Sequence, residues 1–218
     1  MQLNAAQCSS MQLNAAQCSS MQLNELEGIG DPRPAQNSAG TRSQAPRLSW
    51  RKTSKIQPAM TLTSRPVQAT DIPAICSFPQ GPEELFYMFP KATYPLTPAQ
   101  LSEAIAQRSG STVVEADGAI VGFANFYKAE QGGICALGNV VVAPAARGQG
   151  VARYLVQCMI GLAREQFAAR EVWVSCFNHN TAGLLLYPQL GFVPFGIEER
   201  QTSDGARVAL VQMRQILG

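Results

Sequence analysis

Residues 140–153 read VVVAPAARGQGVAR, and the fold turns on how that stretch is understood. A β-branched run stops at Pro144. From Gly150 a long amphipathic pattern begins, GVARYLVQCMIGLAREQF (150–167), with Val151, Leu155, Cys158, Met159 and Leu162 on one face and Arg153, Gln157 and Arg164 opposite. A helix start ordinarily recruits Ser, Thr, Asp or Asn to satisfy its free N–H groups. None stands between Val140 and Ala152. Gly148, Gly150 and Ala152 instead permit close backbone approach, while Arg147 and Arg153 add positive charge around Gln149 and Val151. Free amides, small residues and adjacent cations describe an anion site in which a pyrophosphate supplies the missing cap. The same residues also fit a plain glycine cap flanked by solvated arginines. The loop is not a P-loop, since no Gly-Lys-Ser/Thr follows. It is not a dinucleotide fingerprint either, because Arg153 occupies the third glycine's place.

Downstream, EVWVSCF (171–177) reads as a buried strand, and the strand–helix–strand from 133 to 177 is long enough for a parallel crossover. TAGLLLYPQLG (181–191) is a short helix, and FVPFGIEERQT and RVALVQMRQIL form two closing strands around Asp204-Gly205. Upstream, TLTSRPVQ (61–68) alternates as a first strand, and Asp71 is placed to cap a short helix from Ile72. GPEELFYMF (81–89) opens on Pro82 and two acids, and Thr97-Pro98 heads a further helix. STVVEADG and AIVGFANFYKA meet at Asp117-Gly118, a hairpin signal, before the third run GICALGNVVVAP. The order is β-α-α-α-β-β-β-α-β-α-β-β.

The front of the chain differs. MQLNAAQCSS occurs at 1–10 and again at 11–20, followed by MQLN at 21–24, and residues 28–58 are rich in Gly, Pro, Ser, Gln and Arg. A ten-residue period suits neither a coiled coil nor a solenoid. Residues 1–59 are expected to be a disordered leader, and 60–218 one domain, with Met60 a possible natural start. Apolar residues make up 46% of the 218, enough to bury a core. The net charge of +2 resides in the front, where residues 1–60 hold six basic and three acidic side chains, leaving eleven and twelve in the remainder. That balance argues against nucleic acid or an anionic membrane as partner. No apolar stretch is long enough to span a bilayer, and the six cysteines include no C-x-x-C pair. With a single histidine, His179, no metal site is expected. A cytoplasmic setting is the expectation.

Two motifs taken together carry more than either alone. Arg147-x-x-Gly150-x-Ala152 after VVVAP resembles the R/Q-x-x-G-x-G/A motif of the GNAT acetyltransferase superfamily. The stretch from Asn180 through Tyr187 to Gly191-Phe192 resembles that family's second signature, N-x-x-A-x-x-x-Y-x-x-x-G-F. The resemblance covers about residues 61–217. It implies an α/β fold: a mixed, mostly antiparallel central sheet with a splayed parallel β4–β5 pair and helices on both faces. It also implies acetyl-CoA as cofactor, with Val140, Val141 and Val142 lending a strand edge to the pantetheine arm. The amides from Gly148 to Arg153 would take the pyrophosphate, and Asn180 would serve either the pantetheine or the cap of its own helix.

The implied activity is transfer of acetyl from acetyl-CoA to a primary amine of a small molecule or peptide by direct attack, in a monomer or homodimer. A backbone amide near Val141 or Val142 would stabilise the oxyanion, and Tyr187 would protonate the leaving sulfur. Asn139 is assigned to substrate or water. The general base is not readable: Glu83 and Glu84 border the expected cleft, His179 neighbours Asn180, and Cys176 lacks a visible partner. Pro188, directly after Tyr187, is expected to kink or end its helix. A non-catalytic acyl-CoA-binding sensor on the same fold is the alternative.

Overall fold

The computed structural model describes residues 60–202 and 204–218; the repeat-bearing leader, residues 1–59, lies outside them. Seven strands form one sheet in the order β1-β2-β3-β4-β5-β7-β6: β1 Leu62–Pro66, β2 Ser109–Ala116, β3 Ala119–Ala129, β4 Ile134–Val142, β5 Glu171–Phe177, β6 Val193–Gln201 and β7 Arg207–Ile216. Every neighbouring pair is antiparallel except β4–β5. The five helices are α1 Ile72–Cys76, α2 Pro82–Met88, α3 Pro98–Ala106, α4 Val151–Phe167 and α5 Thr181–Gln189. The element order is the one read from the sequence. The β2–β3 hairpin turns at Asp117 and Gly118, both with positive φ (49° and 80°), as a tight turn matched to strand twist requires.

Strands β2 and β3 are covered on both faces, and their period of two sorts the core. Val113 and Phe123, paired across the ladder, pack with Ile75, Phe78, Leu85 and Leu101 beneath α1–α3. Their neighbours Val114 and Ala124 pack with Leu155, Val156 and Met159 beneath α4, together with Tyr187 and Phe192 from the α5 region. Full burial of a ring such as Phe123 contributes about 1.5–3 kcal/mol. In α4 the buried stripe is Val151, Leu155, Val156, Met159, Ile160 and Ala163. It lies rotated from the face expected from the sequence, leaving Cys158 and Leu162 half-buried at its margin.

Two local expectations change. Asp71 does not cap α1: it accepts from the Gln68 amide at 2.7 Å and binds Arg65 through both carboxylate oxygens, at 2.7 and 2.9 Å. A bidentate guanidinium six residues upstream outcompetes one helix amide. β5 is buried on one face more than the other, with Val172, Val174 and Cys176 inside and Trp173 half-exposed against Phe195.

What positions the site is the break between β4 and β5. They pair only at Ile134–Glu171, Cys135–Val172 and Ala136–Trp173. Beyond that, β4 carries an extra residue against β3: Asn125 pairs with Gly138 but Phe123 with Val141. The bulge holds Asn139 at φ 53° and bends β4 away from β5. A second irregularity, at Tyr127 of β3, lies further along the same ladder, opposite Leu137 and Ala136.

Candidate active site

The strand edge opened by the bulge has a definite polarity. The Ala143 amide donates to Val121 at 2.9 Å, so alternation turns the main-chain groups of Val141 toward β3 and those of Val140 and Val142 into the gap. The Val142 carbonyl already accepts from Arg147 Nε at 3.3 Å. Val141 contributes its side chain to the core beneath α1–α3.

At the end of the gap, α4 begins without a side-chain cap. Its N-cap is Gly150 in the left-handed region (φ 85°), and the first intrahelical bond is Tyr154 N–H to Gly150 at 3.0 Å. Gly148 also has positive φ (74°), and a Cβ on either glycine would meet open space. The amides of Val151, Ala152 and Arg153 therefore precede the helix's own acceptors and face a roomy, positively polarised mouth. Gln149 turns aside, donating to the Ala145 carbonyl at 2.8 Å. The two arginines are also engaged. Arg147 donates to both oxygens of Glu84 at 2.8 and 2.9 Å, which holds that carboxyl below its ordinary range, and Arg153 donates to Gln189. The binding capacity of this end thus rests on main-chain amides.

Across the gap, Asn180 caps α5, its Oδ1 accepting from the Gly183 amide at 3.0 Å while Nδ2 stays unused by the cap. α5 ends two residues after Tyr187. Pro188 removes one late helical bond, and Gly191 and Phe192 amides close the turn onto Pro188 and Tyr187 at 3.0 and 3.1 Å. The Tyr187 side chain is only 6% exposed, packed edge-on against Phe192 and beside Cys176; burial, then Cys176, raises its pKa. The phenol therefore stays protonated throughout the neutral range. The Cys176 thiol is buried, pushed up to about 12 by burial, and donates weakly to main-chain carbonyls; no base activates it.

Two cavities meet here. One, of about 660 Å³, runs from Val140–Val142 past Arg147, Gly148 and Gly150 to Ala152 and Arg153, with His179 and Thr181 on its far wall. The other, of about 770 Å³, lies between α2–α3 and the sheet, lined by Phe89, Arg108, Tyr127, Gly138 and Asn139 among others. Both are bounded by Tyr87, Met88, Val140, Asn180 and Tyr187, so these residues form the neck of one continuous cleft. His179 sits on the first cavity and Glu84 is tied to Arg147 beside it, so neither faces the second. Glu83 reaches the neck only through Tyr87, whose hydroxyl donates to it. Burial, then Glu83, push the Tyr87 phenol up to about 12.

Sequence reasoning missed Arg108. Its Nη1 donates to Asn139 Oδ1 at 2.5 Å and to Asn125 Oδ1 at 3.1 Å, and its guanidinium lies 5.1 Å from the Phe89 ring centre. No local pattern marks it, because its partners lie 17 and 31 residues away.

A family model described as the acetyltransferase (GNAT) family matches residues 74–192. No curated protein matches the sequence. Among solved structures, a GCN5-related N-acetyltransferase from Kribbella flavida is 32% identical, over 72% of this chain and 98% of that one, with a TM-score of 0.57. A ribosomal-protein-alanine N-acetyltransferase from Brucella melitensis is 23% identical, over 71% and 99%, with a TM-score of 0.59. An acetyltransferase structure from Salmonella typhimurium, which contains its cofactor acetyl-CoA, is 20% identical, over 72% and 95%, with a TM-score of 0.57. The latter two likenesses speak to the fold.

Proposed function

Because this chain belongs to the GNAT acetyltransferase family, we propose that it moves an acetyl group from acetyl-CoA to a primary amine of a small molecule or peptide by direct attack of that amine. The observation that carries the reading is the cleft with two arms joined at Tyr187. One arm ends on an uncapped helix, and the other opens between α2–α3 and the sheet. A coenzyme fits the first arm on chemical grounds: free amides at the Gly148–Arg153 end suit a diphosphate, and the unpaired Val140 and Val142 edge suits an amide-bearing arm. A relative of this fold holds acetyl-CoA. When bound, the coenzyme supplies an acetyl group activated as a thioester.

The chain's own residues then divide the work. The gap-facing amides of Val140 and Val142 offer hydrogen bonds where negative charge develops on the acyl oxygen. Tyr187 holds its proton on Oη and gives it to the departing sulfur. The base is an open role. A lysine-like amine, with pKa near 10.4, is only about 0.04% neutral at pH 7 and needs help, whereas an α-amine near pKa 8 is about a tenth neutral and needs little.

Tyr187→Phe tests the reading. Turnover is expected to fall about 100-fold while CoA affinity, measured by calorimetry, stays within twofold. Undiminished turnover removes the phenol from the chemistry.

A further inference from the structure

The second arm of the cleft contains a cation with no anion beside it. Arg108 is half-buried, and no carboxylate pairs with it among the described residues. Among the described residues its side-chain hydrogen-bond partners are Asn125 and Asn139, which are 0% and 3% exposed. A guanidinium carries donors only, so both amides must turn their oxygens toward it. Their Nδ2 groups consequently point away, and both are buried with no acceptor. Burial pulls the Arg108 pKa down and the nearby Tyr127 phenol offsets this only in part, though a guanidinium remains charged.

Gly138 completes the arrangement. A Cβ there would stand 2.6 Å from Arg108 Nη1, so the glycine keeps the guanidinium's place in the cavity open. The charged residues lining this arm are Lys91, Arg108 and Arg200 against Glu103, and of these Arg200 is neutralised by Glu198. A half-buried cation that lines a cavity with no anion beside it is suited to an anionic group on a ligand.

We propose that the acceptor is a small amine bearing its own oxyanion, a carboxylate or phosphonate, seated on Arg108 with its amino group toward Tyr187. This rests on the acetyltransfer reading above and narrows its substrate. A protein lysine or a polycation lacks the anion and would meet Arg108 and Lys91 as like charges.

The experiment compares each common L-amino acid with its decarboxylated amine and with its 1-aminoalkylphosphonate, using the full chain and acetyl-CoA. At least one oxyanion-bearing amine should exceed its decarboxylated partner about 100-fold in kcat/KM, chiefly through KM. The better of the carboxylate and phosphonate arms identifies the headgroup. Arg108→Gln should erase that preference while leaving the KM for acetyl-CoA unchanged. Gly138→Ala, which crowds the guanidinium without removing it, should weaken the preference if the Gln variant does not fold. Equal rates for amines with and without the anion, or a preference that survives Arg108→Gln, overturn the proposal. If CoA binds but no amine is acetylated, the acetyltransfer reading fails and the oxyanion pocket is judged by calorimetry on the same compounds. Tighter binding of the amino acids or aminophosphonates than of the bare amines supports it, and no difference overturns it.

Discussion

Gly150 and Gly161 make a matched pair on one helix. A Cβ built on either meets nothing within 4 Å, so packing does not distinguish them. Backbone geometry does: Gly150 is the N-cap at φ 85°, and Gly161 lies within the regular turns of α4. Alanine at 150 must hold a left-handed conformation, which costs about 1–2 kcal/mol. Alanine at 161 should gain about 1 kcal/mol through helix propensity. The two variants should therefore differ by about 2–3 kcal/mol. For a domain of this size that is a gap of roughly 5–10 °C in Tm, with Gly150→Ala below the parent and Gly161→Ala above it. The functional readout is separate. The open space that would accept the new methyl at 150 is where a diphosphate must lie to reach the amides of Val151–Arg153. CoA affinity by calorimetry should fall about tenfold or more in Gly150→Ala and remain unchanged in Gly161→Ala. Equal melting temperatures would falsify the conformational argument. An undiminished affinity in Gly150→Ala would show that the coenzyme's charge is bound elsewhere.

Other consequences follow from contacts at and away from the neck. Gly183→Ala brings a Cβ to 2.8 Å from Cys176 Sγ and 3.2 Å from the Tyr187 ring. Overpacking of about 1–3 kcal/mol should outweigh the helix gain, lowering both stability and turnover, and Cys176→Ala in the same background should restore most of each. If turnover drops and the second change does not restore it, the Sγ contact is not the cause. Arg65 holds the Asp71 carboxyl below its ordinary value, so the stability it provides is complete above about pH 4 and is lost as pH falls through the lowered value. Asp71→Asn should melt a few degrees below the parent at pH 7, and the two curves should draw together as pH falls through that lowered value. A gap that persists in acid would assign the effect to packing.

The local grammar of the chain was legible because it depends on neighbours. Thr97-Pro98, Asp117-Gly118 and the capless run after Val142 each announce an element boundary through main-chain chemistry within a few residues, and α3, the β2–β3 hairpin and α4 stand where those signals put them. Tyr187 was legible only by its spacing from Asn180 and Gly191, since a tyrosine on a short helix is otherwise read as packing. Asp71 shows the limit. Its cap pattern is real as sequence, yet Arg65 offers two charge-assisted bonds against one amide and takes the carboxylate.

What the sequence by itself determined is the order of strands and helices, the uncapped start of α4 and the motif spacing that marks the family. What only the tertiary structure decided is which side chains share a cavity. The bulge at Asn139 opens β4 from β5, turns Val140 and Val142 into the gap and carries the Asn139 amide to Arg108. Glu84 and Arg147, 63 residues apart, neutralise each other beside the arm that ends on α4, while Arg108 keeps its charge in the other. Periodicity and capping act over a turn or a pleat, whereas charge pairing and cavity shape depend on distances that exist only once the sheet has assembled.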